Sequence, residues 1–372
     1  MHKILFVSHS SGMAGGERSL AEIVSAIAKQ NDTKIGVVLP GKGQLETLLP
    51  EKVSLFYCEQ FWWIKKWYPE KYSKRDLFWI LRYCISSARK IIKDFSPDVI
   101  ITNTSVICSF AIAAKIEKKH HCWHIRELVE KNLQANFMLG NWLSMKIISA
   151  LSDYVYVNSD FLLKECSRYI KKDIYKVRQQ VFCKQESLDR SCLGKPKISI
   201  IGAVSPHKAQ DEAVKAFKIL KKNGTEMELF IVGWHNEKND YYQKLRELAV
   251  DTNVHFIQFL EDVNSIYSET DIVLVCSCES FGRVAIEAMK HSIPVVAANV
   301  GGSVELIKNG YNGYLYEKNN PEDLANKIML LQNPDIRNEM GHNGYMFATG
   351  NYNEENMIND FMQPLSKIFG TH

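Results

Sequence analysis

The chain has 372 residues, more than one ordinary hydrophobic core holds, and this length suits two domains. Its 46% hydrophobic and 24% charged content is that of a soluble globular protein, and a net charge of +4 is too small for a nucleic-acid binder, which concentrates basic residues more strongly. No apolar run approaches the roughly 20 residues of a bilayer-crossing helix, and nine scattered cysteines with no C-x-x-C pair and no signal peptide point to reduced thiols in a cytoplasm.

The stretch KILFVSHS, from Lys3, predicts a strand, and SGMAGGERSLAEIVSAIAKQ predicts a glycine-rich loop followed by an amphipathic helix. G-x-G-x-x-G is absent, which argues against a dinucleotide site. Further strands are expected at 34–39 and 53–57, and the alternation of strand and helix indicates a parallel sheet. Residues 61–93 break this rhythm. They carry Trp62, Trp63, Trp67, Phe78 and Trp79 among nine Lys and Arg, with Glu70 and Asp76 as the acids. Such a segment suits an anionic membrane surface, and it equally suits a helix pair with its tryptophans in the core and its lysines in water. DVIITN at 98–103 and CWHIRE at 122–127 predict two more buried strands, the second ending in His124, Arg126 and Glu127. A lone histidine is more often a core or surface residue than a catalyst. A strand at 154–158 then runs into Ser159 and Asp160, which can cap a helix.

Polar residues 184–197, with Gly194 and Pro196, read as a linker. ISIIGAVSPHKAQDEAVKAF repeats the strand, turn and helix formula, with Gly202 ending the strand and Lys208 in the turn, where an ammonium can pair with a diphosphate. MELFIVG ends in Gly233 and Trp234, and a strand at 254–259 precedes a helix. Residues 272–276 are a β-branched apolar run that suits a strand buried on both faces. Ser277 to Gly282 form a loop, and a helical pattern starts near Phe281. Ligands sit at the carboxyl ends of strands in such sheets, and the free N–H groups of a helix start favour an anion. Glu279 lies in that loop and Glu287 about two turns later. A βαβ unit with a solvated loop glutamate and a helix-surface glutamate is the plain alternative. A strand at 294–298, the Gly301-Gly302 turn, an N-G-x-x-G loop, helices at 321–331 and 335–348 and a last helix complete the chain.

From Lys197 to Leu331 this string resembles the donor-nucleotide half of retaining GT-B glycosyltransferases of glycosyl transferases group 1 (family 4). The spaced pair Glu279 and Glu287, the F-G-R insert, the PVVA strand, the GG turn and the N-G-x-x-G loop occur in the family's order. The resemblance implies an α/β fold of GT-B architecture, two Rossmann-like domains facing a central cleft. It implies an acceptor-binding domain at 1–190, a nucleotide-sugar-binding domain at 197–350 and a helix at 351–372 crossing back to the first. The implied site has His124 and Glu279 as catalytic residues. Its donor contacts are Gly15, Gly16, Lys208, Ser280, Phe281, Gly282, Arg283 and Glu287, with Glu287 on the ribose. Ala203 and Ala209 depart from the family's usual arginine and glycine, and Gln258 stands where it has a glycine near the base.

With no D-x-D at a plausible strand end, neither metal nor cofactor is expected, and the nucleotide-diphosphate sugar is the donor substrate. Lys208, Arg283 and helix amides are expected to meet the charge that builds on the leaving phosphate. The implied function is retaining transfer from a UDP- or GDP-sugar to a glycan or lipid-linked acceptor in bacterial cell-surface polysaccharide biosynthesis. The expected place is the cytoplasm, at the inner face of the membrane if residues 61–93 meet it. The alternatives are a non-catalytic nucleotide-sugar-binding protein and a sugar-nucleotide epimerase of similar fold.

Overall fold

A computed structural model describes residues 1–30, 32–65, 72–132, 135–183, 196–225, 227–258 and 263–370. The expected linker at 184–197 falls almost wholly outside them, as do Trp67 and the carboxyl end of the 254–259 strand. The chain divides into two compact units, residues 1–180 with 353–372, and residues 181–352. Val181, on the sequence still in the first domain, is fully buried in the core of the second.

The first unit is a seven-stranded parallel sheet. Its strands are β1 (His2–Val7), β2 (Thr33–Leu39), β3 (Ser54–Tyr57), β4 (Val99–Thr102), β5 (His120–Ile125), β6 (Tyr154–Val157) and β7 (Ile174–Lys176). Their order is β3-β2-β1-β4-β5-β6-β7. The runs ILFV and VIIT are buried throughout because helices cover both faces, which is why they show no polar alternation. One face packs against the helix Lys74–Phe95, through Cys84, Ala88 and Ile92. The other packs against Gly15–Ala28 and the last helix, Glu354–Phe369, whose Met357, Phe361 and Leu365 join Ile4, Phe6 and Tyr156 in one core. Ser159 caps the helix Asp160–Ser167 by accepting from the Leu162 amide at 3.2 Å.

The second unit repeats the plan with six parallel strands. They are β8 (Lys197–Ile201), β9 (Glu228–Val232), β10 (Val254–Ile257), β11 (Ile272–Val275), β12 (Val295–Ala298) and β13 (Gly313–Tyr316), in the order β10-β9-β8-β11-β12-β13. In both sheets the first strand lies at the point where the strand order reverses: β1 beside β4, and β8 beside β11. Adjacent loops there leave the sheet in opposite directions and open a crevice at the strands' carboxyl ends. Two strands are absent from the sequence reading. Three-residue β7 is too short to show a pattern, and GYLY of β13 follows so closely on the N-G-x-x-G stretch that it reads as loop.

Candidate functional site

Glu279 and Lys208 meet at the reversal point of the second sheet. Gly202 ends β8 with φ +145°, and a Cβ there would lie 3.5 Å from the Lys208 stem. Gly233, at the end of β9, lies so close that a Cβ on it would come within 2.1 Å of the Gly202 carbonyl oxygen. The chain thus turns tightly after β8 and brings Lys208 over the end of β11. Its Nζ lies 2.5 Å from Glu279 Oε1, and the Ser277 hydroxyl donates to the same oxygen. Burial alone would raise the Glu279 carboxyl, but the Lys208 charge and the hydrogen bonds from Lys208 and Ser277 hold it below its usual range. It therefore stands ionised at neutral pH, with a quarter of its side chain exposed.

The Gly301-Gly302 turn shapes this loop from beneath. The Gly302 amide donates to the Glu279 carbonyl at 2.7 Å, and a Cβ on Gly301, at φ +64°, would lie 2.3 Å from that same oxygen. Ser280 and Phe281 are both buried, Phe281 edge-on to Tyr352 at 5.7 Å. Gly282, at φ +92°, caps the helix Arg283–Lys290, whose first turn carries N–H groups with no intrahelical acceptor. On that helix Arg283 Nε donates to Glu287 Oε1 at 2.9 Å, and the Tyr267 hydroxyl donates to Glu287 Oε2 at 2.7 Å. Tyr267 in turn stacks on His291 at 4.9 Å. Gln258 accepts from the His235 amide at 3.2 Å, beside an exposed Trp234.

The remaining expected residues belong to the first unit. Gly15 and Gly16 open the helix Gly15–Ala28, and the Gly16 carbonyl accepts from Asn103 Nδ2 at 3.4 Å. The His124 ring, expected as catalytic, is 1% exposed on β5, between Tyr156 at 5.9 Å and Phe361 at 6.3 Å. Burial and the neighbouring Arg126 charge hold its imidazole neutral, well below its ordinary pKa. Arg126 and Glu127 follow Ile125, the last residue of β5, at the strand's end. Arg126 donates to Asn103 Oδ1 at 2.6 Å and to Gln179 Oε1 at 2.7 Å. Glu127 Oε1 accepts from the Thr104 hydroxyl and from the amide and hydroxyl of Ser105.

The sequence reading missed Ser277, Tyr267, Asn103 in its role as Arg126 partner, and Gln179. Ser277 lies two residues before Glu279 and was legible as a loop donor. The other pairs join residues 20 to 53 positions apart and leave no local signal.

Residues 190–347 match the family model described as glycosyl transferases group 1. An uncharacterized glycosyltransferase of Methanocaldococcus jannaschii is 36% identical over 155 residues, 40% of this chain and 42% of that protein, so the match spans less than half of that relative. A Campylobacter jejuni protein named GalNAc-alpha-(1->4)-GalNAc-alpha-(1->3)-diNAcBac-PP-undecaprenol alpha-1,4-N-acetyl-D-galactosaminyltransferase is 25% identical over 92% of each chain. The crystal structure of Anabaena HepE in complex with UDP-glucose superposes with a TM-score of 0.78 over 99% of this chain and 100% of that one, at 20% identity. Residues 190–347 thus match the model of glycosyl transferases group 1, and the two-unit chain that carries them has the fold of the GT-B glycosyltransferases.

Proposed function

We propose that the chain transfers a sugar, with retention of anomeric configuration, from a UDP-sugar to a glycan or lipid-linked acceptor in the assembly of a bacterial surface polysaccharide. The observation that carries this reading is the Lys208–Glu279 pair at the reversal point of the second sheet, 2.5 Å apart beneath a helix start. An incoming diphosphate takes Lys208 as its counter-ion. That releases Glu279, already ionised, to receive the hydroxyls of the transferred sugar. Amides of residues 280–282 and of the first turn of Arg283–Lys290 stabilise the charge on the leaving phosphate, with Arg283 as the second cation. No metal is assigned to this step. Glu287, fixed by Arg283 and Tyr267, holds the ribose hydroxyls. UDP rather than GDP is favoured because HepE is described with UDP-glucose, and a lipid-linked acceptor is supported by the undecaprenol in the Campylobacter relative's name.

The test is thermal unfolding of the full chain against a panel of UDP- and GDP-sugars. A donor at 100 times its Kd raises stability by about 2.7 kcal/mol. One UDP-sugar is expected to raise the midpoint of the wild type and to lose that effect in Lys208→Ala. A panel without effect on the wild type would sink the reading and favour a protein that binds something else.

A second observation concerns place. On the helix Lys74–Phe95 the exposed residues Arg75, Phe78, Trp79, Arg82, Tyr83 and Lys90 lie away from buried Cys84, Ala88 and Ile92, while Arg89 and Lys93 pair with Glu117. Phe78, Trp79 and Tyr83 are each more than half exposed, and Arg82 lies over the Trp79 ring at 5.3 Å. Rings backed by cations suit an anionic lipid headgroup layer, and we assign this face to the inner surface of the cytoplasmic membrane. Among the described residues no helix is long and apolar enough to cross a membrane.

A further inference from the structure

The chain segments that enter β5, β6 and β7 meet at the amino-terminal edge of the first sheet, the end opposite the carboxyl-end crevice. They line a depression of about 470 Å³ whose charged and titratable groups are Lys115, Lys118, Lys119, His120, Asp153 and Lys172. A second depression, of about 320 Å³, adjoins it and shares Lys118, Lys119 and His120. Four lysines thus surround one carboxylate.

The nearby acids are engaged elsewhere. Asp153 Oδ2 accepts from the His121 amide at 3.0 Å and lies 3.1 Å from His120 Nδ1, which ties it to the start of β5. Glu117 is taken by Arg89 at 2.5 Å and by Lys93 at 3.7 Å. In the adjoining depression Asp98 Oδ2 accepts from the Lys3 amide at 2.8 Å. Among the described residues no acid lies within ion-pair distance of any of the four lysine ammoniums. The helix dipole explains only part of the cluster. Lys115 lies in the last turn of the helix Ser109–Ile116, where a cation is favoured. Lys118 follows in the turn at φ +54°, a position that glycine usually takes after a helix end, so this cation is kept at a cost in backbone strain. Lys172 comes from a different loop, two residues before β7.

Ammoniums gathered without counter-ions repel one another, and a multivalent anion among them relieves that repulsion. A lysine ammonium is a point charge suited to phosphoryl oxygens, and the volume lies within the range of small-molecule sites, about 300–1,000 Å³. We propose that this depression is a second anion site, which binds the phosphoryl group of a ligand other than the sugar donor. A soluble diphosphate or phosphate ester and the headgroup of an anionic lipid present the same oxygens. The site lies wholly within the first unit and does not depend on the transferase reading.

The experiment uses the full chain carrying Lys208→Ala, so that a diphosphate at the second sheet does not register. Thermal unfolding is followed with sodium pyrophosphate and with sodium chloride at equal ionic strength. Pyrophosphate is expected to raise the midpoint beyond the chloride control. Adding Lys115→Gln, Lys119→Gln and Lys172→Gln weakens the apparent affinity by about tenfold or more, whereas Lys115→Arg, Lys119→Arg and Lys172→Arg together keep it. The midpoints without ligand show that both triple variants fold. Co-sedimentation with phosphatidic acid vesicles, compared between the chain with and without the three glutamine substitutions, separates the two sources. A pyrophosphate response lost in the glutamine variant with unchanged sedimentation identifies a soluble phosphate. Sedimentation lost in that variant, with no pyrophosphate response in its parent, identifies a headgroup. A parent chain that answers neither probe beyond the chloride control, or a glutamine variant that matches its parent in both, overturns the site.

Discussion

His121 and His124, both on β5, are held neutral by their surroundings. Burial pulls the His121 imidazole down to about 4, and its Nε2 lies 2.9 Å from the Thr102 hydroxyl. His124 is lowered by burial and by the Arg126 charge. A depressed folded-state pKa means that the unfolded chain takes up these protons first as the pH falls. The stability they contribute is therefore whole above about pH 6.5 and is lost as pH falls from there toward 4, by about 3 kcal/mol for His121 alone. The unfolding midpoint should drop steeply over that window, and less steeply in His124→Phe. An equal slope in the variant would remove His124 from the account. The same residue scale decides Gly301, whose left-handed φ and contact with the Glu279 carbonyl admit no side chain. Gly301→Ala should cost about 2 kcal/mol in chemical denaturation and weaken the UDP-sugar shift, because the displaced backbone is that of Glu279. Unchanged binding would separate the turn from the site.

At the scale of elements, the aromatic and basic residues of 61–93 form two populations that composition cannot tell apart. Trp63 stacks on Trp123 at 5.9 Å in the core, while Phe78, Trp79 and Tyr83 remain outside. Tryptophans in a short bridge and on a helix look alike until a partner strand is in place. The helix itself is well specified locally: Ser73 and Asp76 form a capping box, with Ser73 Oγ accepting from the Asp76 amide at 3.2 Å and Asp76 Oδ2 accepting from the Ser73 amide at 2.8 Å. Its outer face provides the membrane test. Co-sedimentation with phosphatidylglycerol vesicles should be strong for the wild type, weak with neutral phosphatidylcholine vesicles, and largely lost in the triple variant Phe78→Ser, Trp79→Ser, Arg82→Ser. Each of those side chains is exposed, so the fold should tolerate all three changes. Equal binding to both vesicle types would refute the assignment.

At the scale of the whole molecule, the chain leaves the first unit at Gln180 and returns to it at Asn353. Two cations secure these passages. In the first unit Arg178 forms a bidentate pair with Asp360 of the last helix, at 2.7 and 2.8 Å, and in the second Lys290 Nζ donates to the Val181 and Tyr352 carbonyls. The last helix completes the first core, since Phe361 is 1% exposed and stacks on Tyr156 at 4.8 Å. Phe361→Ala should therefore destabilise the first unit by about 3–5 kcal/mol. Denaturation followed by tryptophan fluorescence, which reports mainly on the first unit because six of the seven tryptophans lie before residue 180, would show it as an earlier transition. A single unshifted transition would mean that the helix is dispensable to that core.

The sequence by itself determined the two parallel sheets, because strands buried on both faces must be apolar throughout and strand-helix alternation admits few other arrangements. It also determined the Glu279 to Glu287 segment and its glycines, whose signals lie within a few residues of one another. Tertiary structure alone decided what depends on contacts between distant positions. The fold buries His124 under a helix more than 200 residues further on, where no local pattern marks it as interior. Lys208 is brought to Glu279 across 71 residues. Burial and proximity are properties of the packed chain, and a side chain's chemistry follows from them more than from its neighbours in sequence.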